Sequence, residues 1–182
     1  MTLPRSVLIT GATGFVGHAL ASALAARGDR VVVVSRDPRR ASRAIPTASS
    51  FVSSVDAGAL EGIDAIVNLA GEPVSGRWSD EKKRAIEASR IDGTKRIVRA
   101  IAARPIGERP RVLISASAIG YYGDRGEEVL DESSAPGNDL LAGVCARWEA
   151  AANEARTLGV RVVTPRIGLV MGEGGALARI AR

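Results

Sequence analysis

Apolar residues in this chain follow two rhythms, short unbroken runs and longer stretches in which they recur every third or fourth position. Val7-Leu8-Ile9-Thr10, Val31 to Val34 and Ala65-Ile66-Val67-Asn68-Leu69 are runs of the first kind, the pattern of strands buried on both faces. A weaker strand is predicted from Phe51 to Val55, and Arg111 to Ser115 and Val160 to Thr164 supply the fifth and sixth. Phe15, Val16, Ala19, Leu20, Ala23 and Leu24 keep helical spacing up to Gly28. Ser35-Arg36-Asp37-Pro38-Arg39-Arg40 leads into a short helix or loop. A long helix is predicted from Asp80 to about Ala103, with Ser79 as its cap and Asp80 and Glu81 in the first turn, where the helix dipole favours anions. Gly93 interrupts it without ending it. A further helix runs from Asp139 to Leu158 and stops at Gly159. Strands alternating with helices predict an α/β fold, a Rossmann-type doubly wound parallel sheet with strand order 3-2-1-4-5-6.

Composition narrows this further. The 182 residues are 46% hydrophobic but only 3% aromatic, so the core is expected from Val, Ile, Leu and Ala, and an all-β sandwich is disfavoured. The whole chain, residues 1–182, reads as one domain. Residues 168–182 begin another helical pattern and stop without a cap, so the chain is expected to be unfinished there. The single cysteine, Cys145, excludes an internal disulfide, and no Cys/His cluster suggests a metal site. The N-terminus lacks a leader pattern and no apolar run reaches the ~18 residues of a membrane span, so a cytoplasmic, membrane-free protein is expected. The net charge is +5 and the pI about 10.1. The cations are scattered and interleaved with acids, as in Asp80-Glu81-Lys82-Lys83-Arg84, so nucleic acid is not the expected partner.

Chemistry enters with Gly11-Ala12-Thr13-Gly14-Phe15-Val16-Gly17, between the first strand and the first helix. Glycines there let backbone N–H groups and a positive helix terminus approach a pyrophosphate. The alternative is a tight turn without a ligand. At the end of the second strand, Ser35-Arg36, backed by Arg39 and Arg40, offers a hydroxyl and a guanidinium suited to a 2′-phosphate. NADP(H) is therefore expected over NAD, although Asp37 would serve as a ribose acid if the strand ended one residue later.

GATGFVG, the strand-four end Asn68-Leu69-Ala70-Gly71, Gly93-Thr94 and ISASAIGYYG (Ile114 to Gly123) together resemble the extended short-chain dehydrogenase/reductase superfamily. NLAGEPVSGRWSDEKKRAIEASRIDGT, Asp131-Glu132 and PRIGLVMGEGGAL narrow the resemblance to NAD(P)-dependent epimerase-like members with a DUF1731-type C-terminal region. The resemblance implies cofactor contacts at Gly11, Thr13, Gly14, Phe15, Val16, Gly17, Ser35, Arg36, Asn68, Leu69, Ala70 and Gly71. It also implies a small-molecule substrate.

The superfamily uses a Ser to polarise the substrate oxygen and a Tyr, four residues before a Lys, to move the proton. Ser117 matches the Ser. Placing Glu149 on the acid that follows the pair puts Leu141 and Cys145 where Tyr and Lys are expected, so the usual proton donor is missing. Tyr121 and Tyr122, the two tyrosines of the chain, are the remaining candidates. Arg125 follows Tyr121 by four positions, but Gly120, Gly123 and Gly126 argue against the helix that would align them. Both tyrosines could equally be packing residues.

Lesser candidates are His18 just past the glycine turn, Cys145, Glu72 and Arg77-Trp78 after strand four, and Arg166 at the end of strand six. Each has a structural alternative: helix packing, a small buried hydrophobe, loop stabilisation and a salt bridge, respectively. The functional reading is an NADP(H)-binding epimerase/dehydratase-like oxidoreductase. Its rivals are a non-catalytic NADP(H) sensor or scaffold and, more remotely, a nucleic-acid binder. Little or no catalysis is expected of the chain alone. Apolar surface from strand six and Ala176 to Ile180 is expected to favour a homo-oligomer.

Overall fold

A computed structural model describes residues 5–172. The segment from Ala176 to Ile180, invoked above for self-association, lies outside the described residues. In chain order the elements are β1 (Ser6–Thr10), α1 (Phe15–Ala26), β2 (Arg30–Val34), α2 (Pro38–Ala44), β3 (Ser50–Val52), β4 (Ala65–Asn68), α3 (Asp80–Ala102), β5 (Val112–Ser115), β6 (Ser117–Ala118), α4 (Leu140–Asn153), β7 (Arg161–Val163) and β8 (Arg166–Ile167).

Six strands form a parallel sheet in the order β3-β2-β1-β4-β5-β7. This is the expected topology, with the predicted sixth strand now seventh because a two-residue strand precedes it. The apolar runs are continuous because alternate side chains enter two separate cores. Val7, Ile9, Val31, Val33 and Val67 pack on one face with Ala21 of α1 and Ala41 of α2. Leu8, Val32, Ile66, Leu113 and Val162 pack on the other with Ile97, Val98 and Ile101 of α3 and Ala152 of α4.

Four expectations need correction. The third strand is Ser50–Val52, three residues on the sheet edge, and its last ladder bond is Ser35 N–H to the Val52 carbonyl. The helix from Asp139 ends at Asn153 and tightens over Glu154–Leu158, where Thr157 Oγ1 donates to the Glu154 carbonyl and Gly159, at φ +79°, stops the turn. The segment after β5 is not only loop, since β6 pairs in parallel with β8 as a separate ribbon. Arg166 therefore lies on β8 rather than at the end of the sixth strand. Pro165, which has no N–H, separates β7 from β8, and its carbonyl accepts from Ser117 N–H at 2.8 Å.

Among the described residues no helix is long and apolar enough to cross a membrane, and no group of three His, Cys, Asp or Glu is placed to hold a metal.

Candidate functional site

The carboxyl ends of β1, β2, β4 and β5 converge on one rim, where open parallel sheets bind their ligands. At β1 the chain turns within a very small space. Gly11 has φ +70°, and a Cβ there would sit 2.6 Å from the Leu69 carbonyl carbon and 2.7 Å from Ala70 N. A Cβ on Gly17 would lie 2.3 Å from the Gly11 carbonyl oxygen, a backbone atom that cannot swing aside. Only glycine fits either place. Gly14 N–H closes the turn on the Gly11 carbonyl at 3.0 Å. Thr13, Gly14 and Phe15 are exposed at its tip and Val16 is half-buried.

The helix that follows has an unusual start. Asp37 caps α2 by accepting from Arg40 N–H, Ser79 caps α3 by accepting from Lys82 N–H, and Asp139 caps α4 by accepting from Ala142 N–H. No side chain caps α1, and its first turn carries no acid. The first N–H groups of α1 and the positive end of its dipole thus face the rim without a side-chain partner.

At the end of β2, Ser35 Oγ both donates to the Asp37 carbonyl at 3.0 Å and accepts from Asp37 N–H at 3.2 Å. Asp37 spends its own carboxylate on the α2 cap. Arg36, Arg39 and Arg40 are exposed, and their guanidinium groups have no hydrogen-bond or ion-pair partner among the described residues. Across β1, Glu72 pairs with Lys82 at 2.6 Å. Lys82 holds its carboxyl below the usual range, with smaller help from the more distant charges of Arg36 and Arg90.

The central strands end in a polar row. Thr10, Asn68 and Ser115 are register partners on β1, β4 and β5, and all three are buried. Thr10 Oγ1 donates to Asn68 Oδ1 at 2.7 Å, and Asn68 Nδ2 donates to Thr94 Oγ1 at 2.9 Å and Ser115 Oγ at 3.1 Å. Trp148 Nε1 donates to Thr94 from α4 at 2.9 Å. The Asn68 side chain is satisfied inside the protein, so what it offers the rim is the position of Leu69, Ala70 and Gly71.

Ser117, on β6 just beyond β5, is 2% exposed, and its Oγ donates to Glu149 Oε1 at 2.6 Å. Arg166 clasps the same carboxylate with Nε at 2.9 Å and Nη2 at 3.1 Å. Its Nη1 donates to Tyr122 Oη at 2.9 Å and to the Glu132 carbonyl at 3.1 Å. The guanidinium also stacks over the Tyr121 ring, 3.5 Å from its centroid, and the two tyrosine rings meet edge to face at 5.4 Å. Bonding to Glu149 first, and then to Tyr122, fixes Arg166 still more firmly in its charged form.

The fold thus brings Ser117, Tyr121 and Tyr122 together around Glu149 and Arg166. Arg125 bonds Glu128 through both Nε and Nη2, so it is not the cation beside Tyr121. Leu141 lies against Gly120. Cys145 is buried, which pushes its thiol up from the ordinary value and suits a packing role. His18 is exposed, with Nε2 3.1 Å from the Ala44 carbonyl. Trp78 donates to the Val74 carbonyl, and Arg90 donates to the Glu72 carbonyl while covering Trp148, so the loop after β4 is internally braced.

In the sequence Glu149 was visible only as a marker for placing the superfamily's Tyr and Lys positions, and neither Thr94 as the partner of Asn68 nor Trp148 as the partner of Thr94 was visible. The available signal for Glu149 was an acid directly beside Trp148 and three residues before Ala152, on the apolar stripe of α4.

The chain matches the model of the NAD dependent epimerase/dehydratase family over residues 7–181. It is 44% identical over 180 residues to the epimerase family protein SDR39U1 homolog, chloroplastic, of Arabidopsis thaliana, covering 95% of this chain and 51% of that protein. It is 35% identical to the epimerase family protein YfhF of Bacillus subtilis, covering 94% and 57%. The chain thus spans about half the length of the curated relatives it matches. Among solved structures, it resembles human epimerase family protein SDR39U1 with NADPH at TM-score 0.79 and 30% identity, covering 97% of this chain and 58% of that one. The nucleoside-diphosphate sugar epimerase from Corynebacterium glutamicum gives TM-score 0.79 and 36% identity, covering 98% and 37%. With this sheet order, this glycine turn and a match along almost its whole length, the chain belongs to the NAD dependent epimerase/dehydratase family, among the epimerase-like extended short-chain dehydrogenases/reductases.

Proposed function

We propose that the protein binds NADP(H) across the rim and serves an oxidoreductase step of epimerase or dehydratase type on a small cytoplasmic metabolite. The observation that carries this reading is the pairing of a glycine-tight turn with the one uncapped helix start among α1 to α4, beside three exposed arginines. The residues fit the cofactor. Gly11, Thr13, Gly14, Phe15, Val16 and Gly17 would hold its pyrophosphate by backbone N–H groups. Ser35 and Arg36 would hold a 2′-phosphate, and Leu69, Ala70 and Gly71 would line its far side. When bound, the nicotinamide supplies or accepts hydride.

Ser117 would orient the reacting oxygen, and Tyr121 or Tyr122 would handle its proton in place of the missing helical tyrosine. A DUF1731-type segment, which the family resemblance implies, would complete the substrate side. Support for NADP(H) also comes from the NADPH carried by the similar human structure. A further solved structure, MoeE5 in complex with UDP-glucuronic acid and NAD, at TM-score 0.72 and 25% identity over 88% of this chain and 54% of that one, leaves NAD as the competing choice.

Parallel fluorescence titrations with NADPH and NADH test the reading. Tighter binding of NADPH is expected; equal curves would remove the phosphate role of Arg36, and binding of neither would remove the cofactor reading.

A further inference from the structure

Four side chains at the end of β5 and on α4 and β8 form one connected polar unit, and the family's tyrosine–lysine pair is absent from α4. The question is which phenol the unit prepares and what prepares it.

Arg166 treats the two tyrosines differently. It meets Tyr121 by the ring face, and the Tyr121 hydroxyl has no hydrogen-bond partner among the described residues. It meets Tyr122 at the oxygen, by an N–H donated to Oη at 2.9 Å. A guanidinium has donors and no acceptor. The Tyr122 proton therefore cannot be returned to Arg166 and must point elsewhere, which makes Tyr122 a polarised donor. Ser117 is arranged in the opposite sense. Its one proton goes to Glu149 at 2.6 Å, and the Cys145 side chain lies within hydrogen-bond reach of the same buried hydroxyl. Glu149 holds both halves together, because the same Oε1 accepts from Ser117 and from Arg166 Nε. Arg166 and Glu149 are largely covered, with side chains 16% and 12% exposed. The guanidinium is further pinned by the Glu132 carbonyl.

We infer that Arg166, anchored by Glu149, is a positioning residue that makes Tyr122, rather than Tyr121, the hydrogen-bond donor to the ligand oxygen. This rests on the reading of the rim as an oxidoreductase site and deepens it. Arg166 is committed to Glu149, Tyr122 and Glu132, so it does not serve as a salt-bridge partner for a substrate anion.

The two tyrosines make the inference directly measurable. In protein labelled with [13Cζ]tyrosine and [15N]arginine, removing the Tyr122 oxygen by Tyr122→Phe is expected to shift the Arg166 side-chain N–H resonances. Tyr121→Phe, which keeps the stacked ring, is expected to leave them in place. Arg166→Met is expected to move the Tyr122 Cζ resonance towards that of free tyrosine, and Arg166→Lys, which keeps a cationic donor, to restore it in part. The inference is overturned if Tyr121→Phe is the variant that shifts Arg166, or if Tyr122 Cζ is unchanged in folded Arg166→Met. Should Arg166→Met fail to fold, the two Tyr→Phe variants decide alone, since each removes a single oxygen. NADPH titration of the unmutated chain tests the cofactor reading separately, because none of these resonances depends on added cofactor.

Discussion

At the end of β1 main-chain donors are left without side-chain partners, whereas at the end of β5 Ser117, Glu149, Arg166 and Tyr122 are bonded to one another. The first region depends on the absence of side chains at Gly11 and Gly17 and on the missing cap of α1. The second depends on side chains from three elements far apart in sequence. Backbone recognition suits a pyrophosphate, the same in every ligand of this class, because peptide N–H groups cannot easily be changed by mutation. Side-chain recognition suits the reacting group, whose position must be set by an oriented and mutually supporting network.

The strongest way to break this contrast is to add a side chain where the first region forbids one. Gly17→Ala places a methyl against the Gly11 carbonyl oxygen. It should lower stability by about 3 kcal/mol, the upper end for overpacking, and abolish measurable NADPH binding. Thermal melts and fluorescence titration check both. If the cofactor still binds normally, the turn is not the pyrophosphate cradle.

In the second region, Glu149→Leu strands the charge of Arg166, and we expect about 2–3 kcal/mol of destabilisation in urea, somewhat below the cost of breaking a fully buried pair. The double variant Glu149→Leu with Arg166→Met should be more stable than Glu149→Leu alone. Simple additivity in that cycle would mean that the two residues do not act as a unit.

Smaller and confined to the first region is the effect of Arg36→Ala. Loss of one charge-assisted contact should weaken NADPH by about tenfold, close to 1.4 kcal/mol, and leave NADH within about twofold. An equal loss for both would place Arg36 on a group the two cofactors share.

The smallest effect should come from outside both regions. The carboxyl of Asp29 lies below its ordinary range because Arg5 N–H donates to it, with further help from Arg27. A lowered folded value means that this contribution is fully present above the ordinary carboxyl range and is lost as pH falls through the folded value. Asp29→Asn should therefore lower stability slightly at neutral pH, where the charge-dependent contribution is present, and flatten the acid limb of the stability curve below about pH 4, where the unmutated protein loses it in any case.

The legibility of the two regions also differed, for a physical reason. Strand runs, the Ser79 cap and the glycine turn are local signals, carried by residues adjacent in sequence, and they located the sheet order and the β1 rim. Ser117, Tyr121 and Tyr122 were readable from the family pattern. Their organisers were not: Glu149 and Arg166 lie 32 and 44 residues from Ser117 and Tyr122, respectively. A two-residue ribbon such as β6 and β8 has no periodicity to detect. Asn68 shows the same limit in reverse, since its place at a strand end was visible while the inward aim of its side chain depended on Thr94, 26 residues away.

The close seat of Gly11 against Leu69 and Ala70 has a consequence for the order in which a nascent chain becomes competent. β1, α1 and β2 can associate once Val34 has left the ribosome, because their pairing closes a short loop, as in the 24-residue separation of Arg5 and Asp29. The back wall of the turn arrives later, with Asn68 and Ala70 bonding Thr10 across separations of 58 and 60 residues. Until that segment docks, Gly11 has nothing to press against, and its left-handed conformation is one choice among the many open to a glycine. Emergence of β4 is therefore the step at which the amino-terminal half acquires a fixed rim, and a stalled chain ending before residue 64 should pair its first two strands without shaping the turn between them.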